Sequence, residues 1–227
     1  MANRKILTWP HPKLRQISIS VDSFDSDLCD LADDLVDSLT VSLGAGLAAP
    51  QIGVNKRVIA IRCNSFGHEN PEPHEKDSNV LIMVNPVIEV SGKSVRWTEA
   101  CLSIPGHSAA VERYENASVQ YQTLSGVSRS IDAKWPFSGA LQHECDHLNG
   151  VLFTFKLTYF ERSRIEKKIK KRKRDASRAV SNYEHQMKLE RKGIYDEEAH
   201  KRMTHGTGKR KKKKAKRSGK TFGKNKR

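Results

Sequence analysis

Charge divides this chain into two parts of unlike composition. The last 72 residues, Lys156 to Arg227, hold 28 Lys and Arg against 8 Asp and Glu, a formal +20, whereas the first 155 hold 13 against 18, a formal −5. A run of like charge repels itself and carries too little apolar surface to offset the entropy of ordering it, so it reads as an interaction tail. The folded domain must then lie in the first part, whose length suits one domain. The +15 of the whole chain describes its tail, and any argument about polyanions is confined there. We expect a folded domain over 1–158, a charged helical extension over 159–205 and a disordered Lys/Arg-rich tail over 206–227.

Within the first part, Leu28, Leu31, Leu35 and Leu39 recur at helical spacing with acidic residues between them, which predicts an amphipathic helix over Asp25 to Leu43 that stops at Gly44. Arg57 to Arg62 and Val80 to Val84 are short apolar runs of the kind that form buried strands. The polar segment between them, Asn64 to Asn79 with Pro71 and Pro73, reads as a surface loop. Val87 to Val90, Ser94 to Thr98, Ala109 to Arg113 and Ala117 to Leu124 read as further short strands. A second helix is predicted from about Pro136 and Ser138 to Leu148, ended by Asn149 and Gly150. Beyond Thr158 the spacing of Ile165, Ile169, Ala176 and Val180 predicts an exposed helix, with a break near Gly193. The expected class is α+β, with short antiparallel sheets around a central helix.

No run of 18 or more apolar residues exists, and Met1 to Pro10 lacks the apolar stretch of a secretory signal. The expectation is a soluble, cytoplasmic, monomeric protein without membrane contact. Four scattered cysteines, Cys29, Cys63, Cys101 and Cys145, do not form a disulfide framework for a chain this long, which leaves thiolates free to bind metal.

His143-Glu144-Cys145-Asp146-His147 fits H-E-x-x-H. On a helix the i, i+4 spacing puts both imidazoles on one face, where they can chelate one ion, and Glu144 can reach a water on it. A third ligand is needed. The extended metallopeptidase pattern fails, because Gly150 is in place but Phe153 stands where a third histidine would. A downstream carboxylate, Glu161 or Glu166, lies in a charge-rich helix where solvation is its ordinary role. Cys101, between predicted strands in Glu99-Ala-Cys-Leu-Ser103, is the other candidate. His68, Glu69, His74 and Glu75 belong to the solvated loop.

Three segments resemble the motifs of peptide deformylases, in the family's order. Gly44-Ala-Gly-Leu-Ala-Ala-Pro-Gln51 resembles their Gly-x-Gly-x-Ala-Ala-x-Gln, Glu99-Ala-Cys-Leu-Ser103 their Glu-Gly-Cys-Leu-Ser, and Gln142-His-Glu-Cys-Asp-His-Leu148 their Gln-His-Glu-x-Asp-His-Leu. His11-Pro12-Lys13-Leu14-Arg15 and Gly150-Val-Leu-Phe153 are similar to the flanks. Ala100 departs from the pattern, standing where the family has Gly; a methyl is tolerable there unless φ must be positive. The resemblance covers about two thirds of the chain and does not reach the tail.

The resemblance implies a metal-dependent hydrolase that removes the N-formyl group from formyl-methionyl nascent peptides. It implies Cys101, His143 and His147 as ligands of one divalent ion, Fe(2+), with Zn, Ni or Co as substitutes. Three protein ligands leave a fourth position for water, and Glu144 would act as general base. Oxyanion donors would be the Gln51 amide and the Leu102 backbone N–H; Ala45, Gly46, Ala100 and Arg113 would meet the substrate, with a surface ion pair as the other reading of Arg113. Gly208 to Arg217 holds eight Lys or Arg in ten residues, a density suited to phosphate backbones. The ribosome is the polyanion from which such a substrate emerges, so residues 156–227 are expected to dock there. The other readings are a zinc metallopeptidase of the H-E-x-x-H type and a noncatalytic ribosome- or RNA-binding protein.

Overall fold

The computed structural model describes residues 4–191, with side chains to Leu189. The tail over 206–227 and the expected break at Gly193 lie outside the described residues. In chain order the elements are α1 (Ser26–Ser42), β1 (Gly46–Ala48), β2 (Val58–Arg62), β3 (Val80–Ala100), β4 (Ser108–Gln122), β5 (Ser128–Lys134), α2 (Phe137–Leu148) and α3 (Tyr159–Arg191), with four short 3-10 turns among them.

One antiparallel sheet runs in the order β1-β2-β3-β4-β5. Its central part is covered on both faces. Val58 and Ala60 of β2 join Val80, Ile82 and Val84 of β3 against α1, while Ile59 and Ile61 join Leu81 and Met83 against Phe137, Leu141 and Leu148 of α2. Double coverage is why these runs are continuously apolar.

The several short strands expected after Val80 are in fact two long ones. Val80–Ala100 continues through two irregularities, at Val84/Val87 and Ser91/Ser94, where Asn85 (φ 50°) and Gly92 (φ 83°) take left-handed conformations. Bulges of this kind bend a strand without ending it, which lets β3 leave the doubly covered region and carry its end toward α2. β1 and β5 were not expected from the sequence. β5 alternates buried Ile131 and Ala133 with exposed Asp132.

Asp25 caps α1 by accepting from the Leu28 N–H at 3.2 Å, and Leu28, Leu31, Leu35 and Leu39 are its buried stripe. The left-handed cap is Leu43 (φ 54°) rather than Gly44. Gly44 is needed for space instead, since a Cβ there would come within 2.9 Å of Leu102 Cδ1.

α2 is fastened to β4 through side chains. Ser138 Oγ donates to the Tyr114 and Glu115 carbonyls at 3.1 and 2.9 Å; Gln142 accepts from the Tyr114 N–H at 3.1 Å and donates to its carbonyl at 2.8 Å. α3 opens on a capping box in which Thr158 and Glu161 bond reciprocally. The chain parts into two compact units, Met1–Ile169 and Lys170–Arg227. The beginning of α3 belongs to the first, because Ile165 and Ile169 are buried beside Cys101, Ile104, Val111, Leu152 and Phe153. All four cysteines are free thiols. No helix among the described residues is long and apolar enough to cross a membrane.

Candidate active site

The end of β3 and the middle of α2 bring the predicted ligands together. The ligand atoms of Cys101, His143 and His147 lie within 4.8 Å of one another, and among the described residues they are the one such group that could hold a metal ion. Cys101 Sγ is 3.2 Å from His147 Nε2. The imidazoles, one helical turn apart, meet edge to face with centroids 4.9 Å apart. Glu161 and Glu166 belong to α3 and are not in this group, nor are the acids and histidines of the 64–79 loop.

Glu99, near the end of β3 and two residues before Cys101, supports the cluster from behind. Its Oε2 accepts from His143 Nδ1 at 2.8 Å, which fixes the ring so that Nε2 faces the cluster. Arg113 grips the same carboxylate from Nε at 2.6 Å and Nη2 at 2.9 Å, and Trp97 Nε1 donates to it at 3.0 Å. Burial opposes the charge on Glu99, but Arg113 and His143 outweigh it and hold the carboxyl at about 2.

The expectation that Arg113 meets the substrate is corrected by its surroundings. It is 2 % exposed, does not line the cavity, and its remaining Nη1 donates to Asp146 Oδ2 at 2.5 Å, an oxygen also reached by Lys156 at 3.1 Å. Two carboxylates inside the protein consume its charge.

Glu144 is buried, and its Oε2 has no hydrogen-bond partner among the described residues. Burial pushes its carboxyl up to about 7, with the charges of Glu99 and Asp146 adding to the effect and that of His143 opposing it. Its neighbour Gly46 has no room for a side chain, because a Cβ there would fall on the Glu144 carboxylate, within 2.8 Å of Cδ.

Gln51 is fixed at both ends of its amide. Oε1 accepts from the Ala48 N–H at 2.8 Å, which orients Nε2 toward Ser103 Oγ at 3.1 Å and Cys101 Sγ at 3.6 Å. The Leu102 N–H has no partner among the described residues. Both residues line a cavity of about 490 Å³, together with Ala45, Gly46, Ala100, Cys101, His143 and Glu144. Ala100 has no positive φ, so the methyl found in place of the family's glycine brings no backbone strain.

Two features of the site went unread in the sequence. Glu99 was visible only as a motif residue without a role. Phe66 and Trp97, which also line the cavity, carry no local signal of it.

The donor set is one cysteine sulfur and two imidazole nitrogens, with an orienting carboxylate behind one imidazole, and it suits a borderline divalent ion rather than Mg or Ca. Burial disfavours charge on His143, yet Cys101 and Glu99 on either side outweigh it and raise its pKa well above the ordinary value.

Comparison with known proteins agrees with this geometry. The polypeptide deformylase family model matches residues 3–163. This chain belongs to the peptide deformylase family. A peptide deformylase of Helicobacter hepaticus is 36% identical over 176 residues, covering 78% of this chain and 95% of that protein. The crystal structure of a peptide deformylase from Legionella pneumophila matches with a TM-score of 0.69 at 36% identity, covering 78% of this chain and 99% of that one. That of the Ehrlichia chaffeensis peptide deformylase in complex with actinonin matches with a TM-score of 0.68 at 34% identity, covering 77% and 99%. Peptide deformylases are metal-dependent hydrolases, and the α+β fold with its antiparallel sheet and C-terminal helix is theirs.

Proposed function

We propose that this deformylase removes the N-formyl group from the N-terminal formyl-methionine of nascent polypeptides, releasing formate, with Glu144 as general base beside a metal held by Cys101, His143 and His147. The observation that carries this reading is the placement of Glu144: a buried carboxylate at a cavity wall next to three convergent ligands, with an oxygen that has no partner among the described residues. A divalent ion bound there, Fe(2+) with Zn, Ni or Co as substitutes, supplies Lewis-acid polarisation and an acidified water.

The chain's own groups do the rest. Glu144 accepts the proton of the attacking water and returns it to the leaving amine. As the formyl carbon becomes tetrahedral, its oxygen gains negative charge, and Gln51 Nε2 and the Leu102 N–H are donors held in advance for it. Gln51 cannot flip, because the Ala48 N–H requires its oxygen. The backbone at Ala45, Gly46 and Ala100 leaves the peptide room to lie along the cavity. Formate release from a formyl-Met tripeptide, by protein loaded anaerobically with Fe(II) or Ni(II), tests the reading. Release that is metal-dependent and lost in Glu144→Ala while metal stays bound supports it; no release from folded, metal-loaded protein overturns it.

The second part of the proposal is that this enzyme acts in the cytoplasm as a monomer and docks on the ribosome through its basic extension, residues 156–227. Support comes from the charge, +20 over that segment, and from eight basic residues within Gly208–Arg217. Co-sedimentation with ribosomes should fall steeply with salt and vanish when the chain ends after Lys170. Binding that survives this truncation would refute the docking role.

A further inference from the structure

The first turn of α3 carries an exposed aromatic pair that neither the core nor the reaction uses. Tyr159 and Phe160 are 70 % and 79 % exposed, and their rings meet edge to face with centroids 5.8 Å apart. A single exposed apolar side chain is ordinary, but here the helical period itself turns a pair of rings outward while Ile165 and Ile169 turn in. Phe160, Arg164 and Lys167 follow one another at i, i+4 and i+7 on the side of the helix away from those isoleucines, and all three are exposed.

Positive charge gathers beside the pair from three elements. Arg15, at the end of the Pro12–Arg15 turn, and Arg162, on α3, each set a guanidinium over the Phe155 ring, 5.4 and 5.5 Å from its centroid. Arg96, from β3, and Arg164 are near enough to act on the Glu161 carboxylate, which is held below its usual range first by the Thr158 hydroxyl and N–H that donate to it and then by these two charges. Residues 1–155 carry a formal −5, so cations that converge here from positions 15, 96, 162 and 164 are a local feature and not the average surface. A helix that lies on a membrane needs a continuous apolar face, whereas the stripe that begins at Phe160 continues as Arg164 and Lys167. Rings beside guanidiniums match unpaired nucleotides instead, since each offers a base face to stack and a phosphate to neutralise.

We infer that Tyr159 and Phe160, with Arg15, Arg96, Arg162 and Arg164, form a binding site for single-stranded RNA, in which a base stacks on the aromatic pair and the arginines meet the flanking phosphates. The inference takes its partner from the docking proposal and deepens it: charge alone holds any polyanion, whereas the rings tell an unpaired stretch from a duplex, whose base faces are covered. One stacked base binds weakly by itself, so the site acts on RNA that the basic extension already holds at high local concentration.

The test measures, by fluorescence anisotropy, binding of the full chain to an oligouridine of about 12 nucleotides and to an RNA duplex of the same length, a size within the footprint of one single-strand module. Phe160→Leu should weaken oligouridine binding by about 5- to 100-fold, the range one stacked base provides, and leave duplex binding within about twofold. Phe160→Trp should restore it, because a base needs the ring and not only apolar bulk. Arg164→Gln should weaken both and lower the salt slope for oligouridine by about 0.7. Formate release from a short formyl peptide should be unchanged in all three variants, which shows that they are folded. Oligouridine carrying 5-bromouridine should photo-crosslink to Tyr159 or Phe160 of the wild type. Oligouridine binding that is indifferent to both Tyr159→Leu and Phe160→Leu, or a loss that is equal for the duplex, overturns the inference while docking by charge stands. Phe160-dependent binding to phosphatidylglycerol vesicles in place of oligouridine overturns it in favour of a membrane surface. A full chain that binds neither RNA at low salt overturns the docking proposal and this inference with it.

Discussion

The space that a side chain at Gly46, on β1, would need is filled by the Glu144 carboxylate, on α2. A Cβ at position 46 must push Glu144 away or move β1. Gly46→Ala is therefore expected to lower kcat by about 10²-fold or more, the lower end of what a positioned acid–base group contributes. Metal content and KM for the formyl peptide should change far less. A Gly46→Ala enzyme with wild-type kcat would show that Glu144 needs no such fixed position.

Arg113 is worth more to stability and metal binding than to substrate. Removing it leaves Glu99, 3 % exposed, without the guanidinium that holds its charge. Breaking a buried pair in this way costs about 3–5 kcal/mol. Arg113→Met should unfold at correspondingly lower denaturant concentration and, because Glu99 orients His143, bind metal about 10- to 100-fold more weakly. Arg113→Lys should not rescue it, since an ammonium cannot serve both oxygens of Glu99 and also Asp146. If Arg113→Met instead raises KM at unchanged stability, the substrate role first expected of this residue is the right one.

These two cases show what the sequence could and could not disclose. Helix α1 and helix α2 were legible because Leu28, Leu31, Leu35 and Leu39, and the His143–His147 pair, follow a helical period that burial and chelation both need. The convergence of Cys101, His143 and His147 was legible as well, through motifs that fix residue type and order. The continuity of β3 was not. Asn85-Pro86 and Gly92 read locally as strand breaks, whereas pairing with β4 carries the strand across them as bulges. Nor was the environment of Arg113, because an exposed cation and a buried one are the same letter until the carboxylates that meet it, 14 and 33 residues away, are in place.

Removal of the metal should be visible in stability as well as in rate. A ligand that binds only the folded chain stabilises it by about 4 kcal/mol at a thousand times its Kd. Stripping with a chelator is expected to abolish formate release and lower Tm by several degrees, with both restored by Fe(II) or Ni(II). His147→Ala should show the apo Tm with and without added metal. Restoration of Tm in His147→Ala would place the ion elsewhere.

The start of α3 is part of the catalytic domain's core even though its sequence is as charged as the rest of the extension. Ile165 and Ile169 are 9 % and 7 % exposed and pack in the cluster that also contains Cys101 and Phe153, the latter stacked on the His143 ring at 6.4 Å. Ending the chain after Thr158 uncovers that cluster, whereas ending it after Lys170 keeps both isoleucines. The shorter chain should be poorly stable or insoluble; the longer should keep full deformylase activity on short peptides. Ile169→Ala in the full chain should cost about 2–5 kcal/mol, as for other buried aliphatic truncations. The reason lies in geometry: a helix needs only one residue per turn on its buried side, so two isoleucines four positions apart can seat a helix whose other positions are free to carry charge. Equal stability of the two truncated chains would mean that these contacts contribute nothing to the fold.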